Sequence, residues 1–133
     1  MRSLFLIITF IVSLHSASYV IATSTKSNIE NTSVRQIKDI FLMKRHFIGD
    51  QRVVPVNMLS SSDLRKVFEK SVLKTDREKL NNYWIKQHFQ GISPPVTQAS
   101  ANSLKLFLKN VNGAIGYLPK ELLDTDLKVL YEF

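Results

Sequence analysis

The sequence predicts an α/β layer fold, a small mixed sheet flanked by helices. Short apolar, β-branched runs alternate along the chain with longer segments whose apolar residues have helical spacing. Most helical segments open on a Ser, Thr or Asp cap, and Gly, Asn or Pro separates several of the elements. With 44% hydrophobic and 22% charged residues in 133, the chain has the composition of a folded globular protein, and its length fits one core.

Tyr19, Val20, Ile21, Ala22 and Thr23 read as the first strand, and residues 25–32 are polar and loop-like. Ser33 with Gln36 matches a capping box, in which each side chain bonds the other residue's free backbone N–H, so a helix starts there. Its apolar residues Val34, Ile37, Ile40 and Phe41 share one face, and Arg35, Lys38 and Asp39 point away. Gly49 and Asp50 mark a turn. The apolar run at residues 53–56 follows it and reads as a buried or an edge strand, Pro55 included.

Ser60, Ser61, Ser62 and Asp63 offer several caps for a second amphipathic helix that carries Leu64, Val67, Phe68 and Val72 inward. Thr75 and Glu78 form a second capping box, opening a helix through Leu80, Tyr83, Trp84 and Ile85 towards Gly91; Pro94 and Pro95 prevent its continuation. Ser100 caps a further helix bearing Leu104, Phe107, Leu108 and Val111. Asn112 and Gly113 end that helix before an apolar strand at 114–118, and a last strand is expected from Leu127 to Tyr131.

The N-terminus has a different character. Arg2 precedes an almost wholly apolar run over residues 4–14, and then come Ser16, Ala17 and Ser18, the three parts of a signal peptide over residues 1–18. Cleavage before Tyr19 keeps the first strand whole; cleavage after Ala22 is the other reading. His15 and Ser16 interrupt the apolar run well short of the roughly 20 residues that span a bilayer, so no stable membrane span is expected after cleavage, and the expected location is the periplasm.

Without cysteine the chain has neither a disulfide framework nor a thiolate zinc site nor a cysteine nucleophile. Removing Arg2 from the 18 basic residues leaves 17 against 11 acidic ones, a balance of +6 that favours anions and acidic surfaces. The basic residues are spread along the sequence without a recognised motif, so nucleic acid is not an expected partner.

Several stretches resemble one family. Ile40, Phe41 and Leu42 with Lys44 look like a helix end of the phosphate ABC transporter substrate-binding proteins, and Gly113, Ala114, Ile115, Gly116, Tyr117 resembles a second hallmark almost letter for letter. Between them, in matching order, come Val54 to Asn57, Arg65 with Phe68, Tyr83 with Trp84, Phe89 with Gly91, and Pro94 with Pro95. The similarity covers residues 19–133 and is greatest to the family's short, single-lobe members. It implies a single lobe of a type 2 periplasmic binding protein, whose full-length members close two lobes over the anion.

In those full-length members the second lobe grips phosphate through an Arg-Ser-Asp-Gly-Ser-Gly-Thr-Thr segment. Counting back from Phe68 places that segment over residues 58–65, with Ser62 meeting its second serine. Met58 stands where the anion-pairing arginine belongs, and Asp63, Leu64 and Arg65 replace the closing Gly-Thr-Thr. The residues themselves retain a serine-rich loop entering a helix, where free N–H groups and the helix dipole favour an anion. Ser60, Ser61, Ser62 and Arg65 are therefore the candidate oxyanion ligands, and Lys66 can add charge. The same run also reads as an ordinary N-cap, and Asp63 would repel an anion at that helix start.

Met43 occupies a family glycine position, so the loop after Phe41 is expected to differ in shape if that position needs positive φ. Lys44, Arg45, His46 and Arg52 are the densest basic group, a surface for an acidic partner or anionic lipid, or simply a solvated face. His46 and His88 have no ligand-spaced companion, so no metal is expected. Ser62, His88 and Asp76 could be drawn as a triad, but no nucleophile elbow surrounds any serine. Trp84 beside Tyr83 fits either core packing or ligand stacking.

The expected function is an exported, non-enzymatic module, without cofactor, that binds phosphate or a related oxyanion. The alternative is an envelope interaction protein that keeps the fold, has lost phosphate binding, and docks its basic surface onto an envelope protein or transporter.

Overall fold

A computed structural model describes residues 18–133; residues 1–17, and with them nearly all of the predicted signal segment, lie outside the described part. The elements in chain order are β1 (Tyr19–Ser24), α1 (Val34–Phe41), β2 (Phe47–Ile48), β3 (Gln51–Arg52), β4 (Val54–Met58) and α2 (Asp63–Phe68). A π-helical turn (Glu69–Leu73) extends α2, and then come α3 (Arg77–Phe89), β5 (Val96–Gln98), α4 (Ala101–Asn110), β6 (Ala114–Pro119) and β7 (Leu127–Glu132). Five strands make one mixed sheet in the order β5-β4-β6-β1-β7. β5, β4 and β6 run parallel, whereas β1 lies antiparallel to both β6 and β7. The α/β expectation holds.

Strand pleating sorts the layers. A side chain at Gly116 would collide with Leu104 and Leu108 of α4, so that position faces α4. Tyr117, one residue on, points to the opposite face, where its ring stacks on Phe68 at 4.1 Å and meets Phe41 at 6.0 Å. Helix α4 therefore covers one face, and α1 with α2 covers the other. The core is filled from both sides by Ile37, Ile40, Phe41 and Phe68 against Leu104, Leu108 and the strand residues Val20, Ile21, Val56 and Ile115, all buried.

Local chemistry starts the helices. Ser33 and Gln36 form the expected reciprocal box at α1, and Ser100 caps α4 by accepting from the Ser103 N–H at 3.1 Å. The box expected at Thr75 and Glu78 does not form. Helix α3 begins one residue later, with Asp76 as its cap accepting from the Lys79 N–H at 2.9 Å, and a lysine at the third helical position has no acceptor to return the bond. Val34, expected to face inward, is exposed, and Ile37, Ile40 and Phe41 carry the buried face of α1 alone.

β4 is an interior strand. It accommodates Pro55 because pairing with β5 begins only at Val56, beyond the residue that lacks an N–H. Two pieces absent from the expectation are β5 and the small β2–β3 hairpin, which turns at Gly49 and Asp50. Met43 does adopt positive φ, at 57°, in the tight turn that leaves α1. Among the described residues no helix is long and apolar enough to cross a membrane.

Candidate oxyanion site at the carboxyl ends of β4 and β5

β4 and β5 are parallel neighbours whose last residues, Met58 and Gln98, are in register. Just beyond them the Leu59 N–H donates to the Gln98 carbonyl at 3.2 Å, so the two exits are tied side by side. From β4 the chain enters α2 on the Tyr117 face; from β5 it enters α4 on the Gly116 face. Adjacent parallel strands that send their chains to opposite faces open a crevice at their carboxyl ends, the place where open α/β sheets bind ligands.

A serine cap follows each of the two strand ends. On the α2 side residues 59–62 make a tight turn, closed by the Ser62 N–H donating to the Leu59 carbonyl at 2.9 Å, with Ser60 and Ser61 exposed. The Ser62 hydroxyl accepts from the Arg65 N–H at 3.4 Å, so Ser62 is the N-cap. On the α4 side the Ser100 hydroxyl donates to the Ser103 hydroxyl at 2.9 Å. The first N–H groups of each helix have no intrahelical acceptor and, with the helix dipoles, present positive potential there. Asp63, the acid at the start of α2, is fully solvent-facing and pairs with Lys66 at 3.6 Å, which tempers its charge.

Arg65 is built into the wall of the site. Its Nη1 donates to the Met58 carbonyl at 2.8 Å, and its Nε lies 3.4 Å from Glu69. Glu69 is buried and also accepts from Arg77 at 2.6 Å, while the same Arg77 nitrogen donates to the Ser60 carbonyl at 3.0 Å. Two guanidinium groups thus converge on one buried carboxylate directly behind the serine turn. Met58, where the resemblance noted in the sequence would place an arginine, is buried in the core and directs no charge into the crevice.

Beneath the turn, the Tyr117 hydroxyl accepts from the Met58 N–H at 3.0 Å and donates to Asn57 Oδ1. Burial holds the Tyr117 phenol protonated far above its usual range, against a smaller opposing effect of the Met58 N–H. These two bonds give the Met58 N–H and the Asn57 side-chain carbonyl oxygen partners within the protein.

Of the four predicted ligands, the structure brings Ser60, Ser61 and Ser62 together in the turn and sets Arg65 behind them. Ser100 and Arg77 complete the arrangement, and sequence reasoning assigned neither to it. Ser100 was legible only as a cap, because its nearness to residues 59–62 follows from the β4–β5 pairing. Arg65 and Glu69 stand at helical i, i+4 spacing, which the sequence does display; the burial of Glu69 and the approach of Arg77 depend on the fold. His46 and His88 are both exposed and lie on different elements, the loop before β2 and α3.

The sequence matches no protein-family profile, and no curated protein matches it. Solved structures do. The chain is similar to a protein from Clostridium perfringens described as a phosphate ABC transporter substrate-binding protein and solved with bound phosphate, at a TM-score of 0.69 and 18% identity, over 86% of this chain and 44% of that one. It is likewise similar to an ABC-type phosphate transport receptor from Vibrio cholerae, at a TM-score of 0.67 and 16% identity, over 86% of this chain and 45% of the receptor. The chain spans less than half the length of either. At this identity the likeness is one of fold, and the fold is that of a single lobe of the periplasmic binding protein architecture.

Proposed function

We propose that this chain is an exported, non-enzymatic binding module that takes phosphate or a related oxyanion in the crevice between the serine turn at residues 59–62 and the Ser100 cap. The observation that carries this reading is the divergence of β4 and β5 to opposite faces, with a serine-capped helix start just beyond each of the two paired strand ends, on a fold shared with two phosphate-transport proteins. Exposed Ser60 and Ser61 hydroxyls supply neutral donors, and the guanidinium pair behind the turn supplies positive potential. The crevice is one wall of a site. Its opposite wall comes from a second body, an envelope protein or transporter component, that plays the part of the other lobe. Export follows from the signal-like character of residues 1–18, with the periplasm as destination.

Isothermal titration of the purified protein with phosphate, repeated on a Ser60→Ala/Ser61→Ala variant, tests this. Saturable heat that the double variant loses is the expected result; no heat with phosphate or sulfate sinks the ligand-binding reading.

A second reading rests on the β2–β3 hairpin. Arg45, His46 and Phe47 are exposed there, with the Arg52 guanidinium 5.8 Å from the Phe47 ring, a cationic and aromatic surface suited to an acidic protein partner. In this version the lobe docks without a ligand. Capture of an envelope component that disappears in an Arg45→Ala/Arg52→Ala variant, together with silence in the phosphate titration, favours it.

A further inference from the structure

A second basic recess lies away from the crevice. Helix α1, the loop that follows it, the π-helical turn and α3 enclose a hollow of about 260 Å³. Four lysines rim it: Lys38, Lys44, Lys74 and Lys79. Its floor is apolar, made by Leu42, Leu73 and Leu80, with the Tyr83 ring as one side. Thr75 adds a hydroxyl at the rim, and an adjoining open groove that shares Lys74, Thr75 and Lys79 brings in Lys70.

These cations are poorly compensated. Among the described residues only Lys79 meets a carboxylate, Asp76, and at the long distance of 4.0 Å between two exposed side chains. Asp39 is the other acid nearby, close enough to Tyr83 to add to the effect of burial in raising its phenol pKa. Lys44 instead sits 5.7 Å over the Tyr83 ring, which holds an ammonium group at the mouth of the hollow. Lys74 ends the π-helical turn as its left-handed C-cap, at φ 51° with its N–H donating to the Glu69 carbonyl, which fixes its backbone at the rim. Several like charges around one hollow repel one another, and a dianion seated among them relieves that repulsion.

The geometry points to a second ligand site in this recess, specific for a phosphate ester with an apolar body, whose phosphate meets Lys38, Lys44, Lys74 and Lys79 while the body lies on Leu42, Leu73, Leu80 and the Tyr83 ring. Free phosphate would use only the rim, and a neutral apolar molecule only the floor. The hollow is slightly smaller than the usual small-molecule cavity, which sets the body at about the size of one aromatic ring or a short acyl segment. This site is independent of the β4–β5 crevice, and neither depends on the other.

The chain's one tryptophan, Trp84, reports on it directly, because its ring meets Tyr83 edge-on at 4.9 Å. Phenyl phosphate titrated into the purified protein is expected to change Trp84 fluorescence saturably, with inorganic phosphate and benzyl alcohol each binding at least about tenfold more weakly. A Lys38→Ala/Lys74→Ala variant should weaken phenyl phosphate by about tenfold or more, whereas Arg35→Ala, an equal-sign charge loss on the outer face of α1, should not. Vesicles of phosphatidylglycerol form a separate arm. A lysine-dependent Trp84 change with vesicles as well as with phenyl phosphate identifies a lipid as one source of the ester; a change with phenyl phosphate alone identifies a free small molecule. Circular dichroism of the variants verifies that they remain folded. The proposal is overturned if neither probe perturbs Trp84, if phosphate binds as tightly as its phenyl ester, or if binding survives loss of both lysines in a folded variant.

Discussion

Glu69 accepts a 2.6 Å hydrogen bond from Arg77, and the same Arg77 nitrogen reaches the Ser60 carbonyl at 3.0 Å. A carboxylate buried in the lobe thereby anchors the turn that forms one side of the candidate crevice. Arg65, bonded to the Met58 carbonyl on the same side, closes the link between strand end, turn and helix. The turn's shape depends on charge pairing within the protein as well as on its own capping.

Glu69→Ala should therefore be severe. Removing one member of a buried ion pair leaves the other uncompensated, at a cost of about 3–5 kcal/mol, a large share of the whole stability of an ordinary domain. Urea unfolding should show the midpoint fall steeply. Lys66→Ala, which breaks only the exposed pair with Asp63, should move it by about 0.5 kcal/mol or less. Equal effects from the two variants would contradict the burial of Glu69.

Backbone conformation gives a second series. Gly113 has φ 79°, and a Cβ there would collide with the Arg52 carbonyl oxygen, so Gly113→Ala should cost more than about 3 kcal/mol. Gly91 has similar φ but open space around it, so Gly91→Ala should cost only about 1 kcal/mol. At Met43, also left-handed, the glycine variant should be more stable than the alanine variant by about 1 kcal/mol, since both lose the same side-chain packing and differ in backbone freedom. Thermal melts of the four variants rank them.

The pH dependence has a sign at each end. The Tyr117 phenol is raised in the folded state, so the stability it contributes is complete below the ordinary tyrosine value of 10.0 and is lost as pH rises beyond it, because the unfolded chain releases that proton first. Tyr117→Phe should flatten this alkaline loss, while lowering stability at neutral pH by about 1–3 kcal/mol through the unpaired Asn57 and Met58 groups. At the acid end, hydrogen bonds from Lys105 and Lys109 hold Asp124 down at about 2, against an ordinary 3.8. Its contribution is present above 3.8 and fades as pH falls towards 2, so Asp124→Asn should reduce the slope of stability in that window. Chemical denaturation across pH measures both.

What the sequence disclosed was mostly local. Ser33 with Gln36, Ser100, and the strands that open and close the chain depend on neighbours within four residues or on simple alternation, and all appear where expected. The Thr75 box failed over a single residue, since Asp76 caps as well as Thr75 and shifts the helical register away from Glu78. β5 is three residues long, and β2 and β3 two each, too short for any period to show.

The candidate site divides along the same line. Ser60, Ser61 and Ser62 were visible because a serine run before a helix is itself a signal. Ser100 joins them only through strand order, and Arg65 turned out to face the Met58 carbonyl and Glu69, since the burial that calls a guanidinium inward is set by residues remote in sequence. Met58 packs in the core at the end of β4, a placement set by the sheet around it.

In the proposed function an oxyanion sits where β4 and β5 diverge. Backbone amide spectra of the isotope-labelled protein, recorded during a phosphate titration, test it most directly. The expected result is saturable shifts concentrated in the amides of residues 60–64 and 101–103, with any shifts around the Tyr83 recess saturating only at higher phosphate. Shifts confined to other surfaces, or none up to millimolar phosphate, would contradict it.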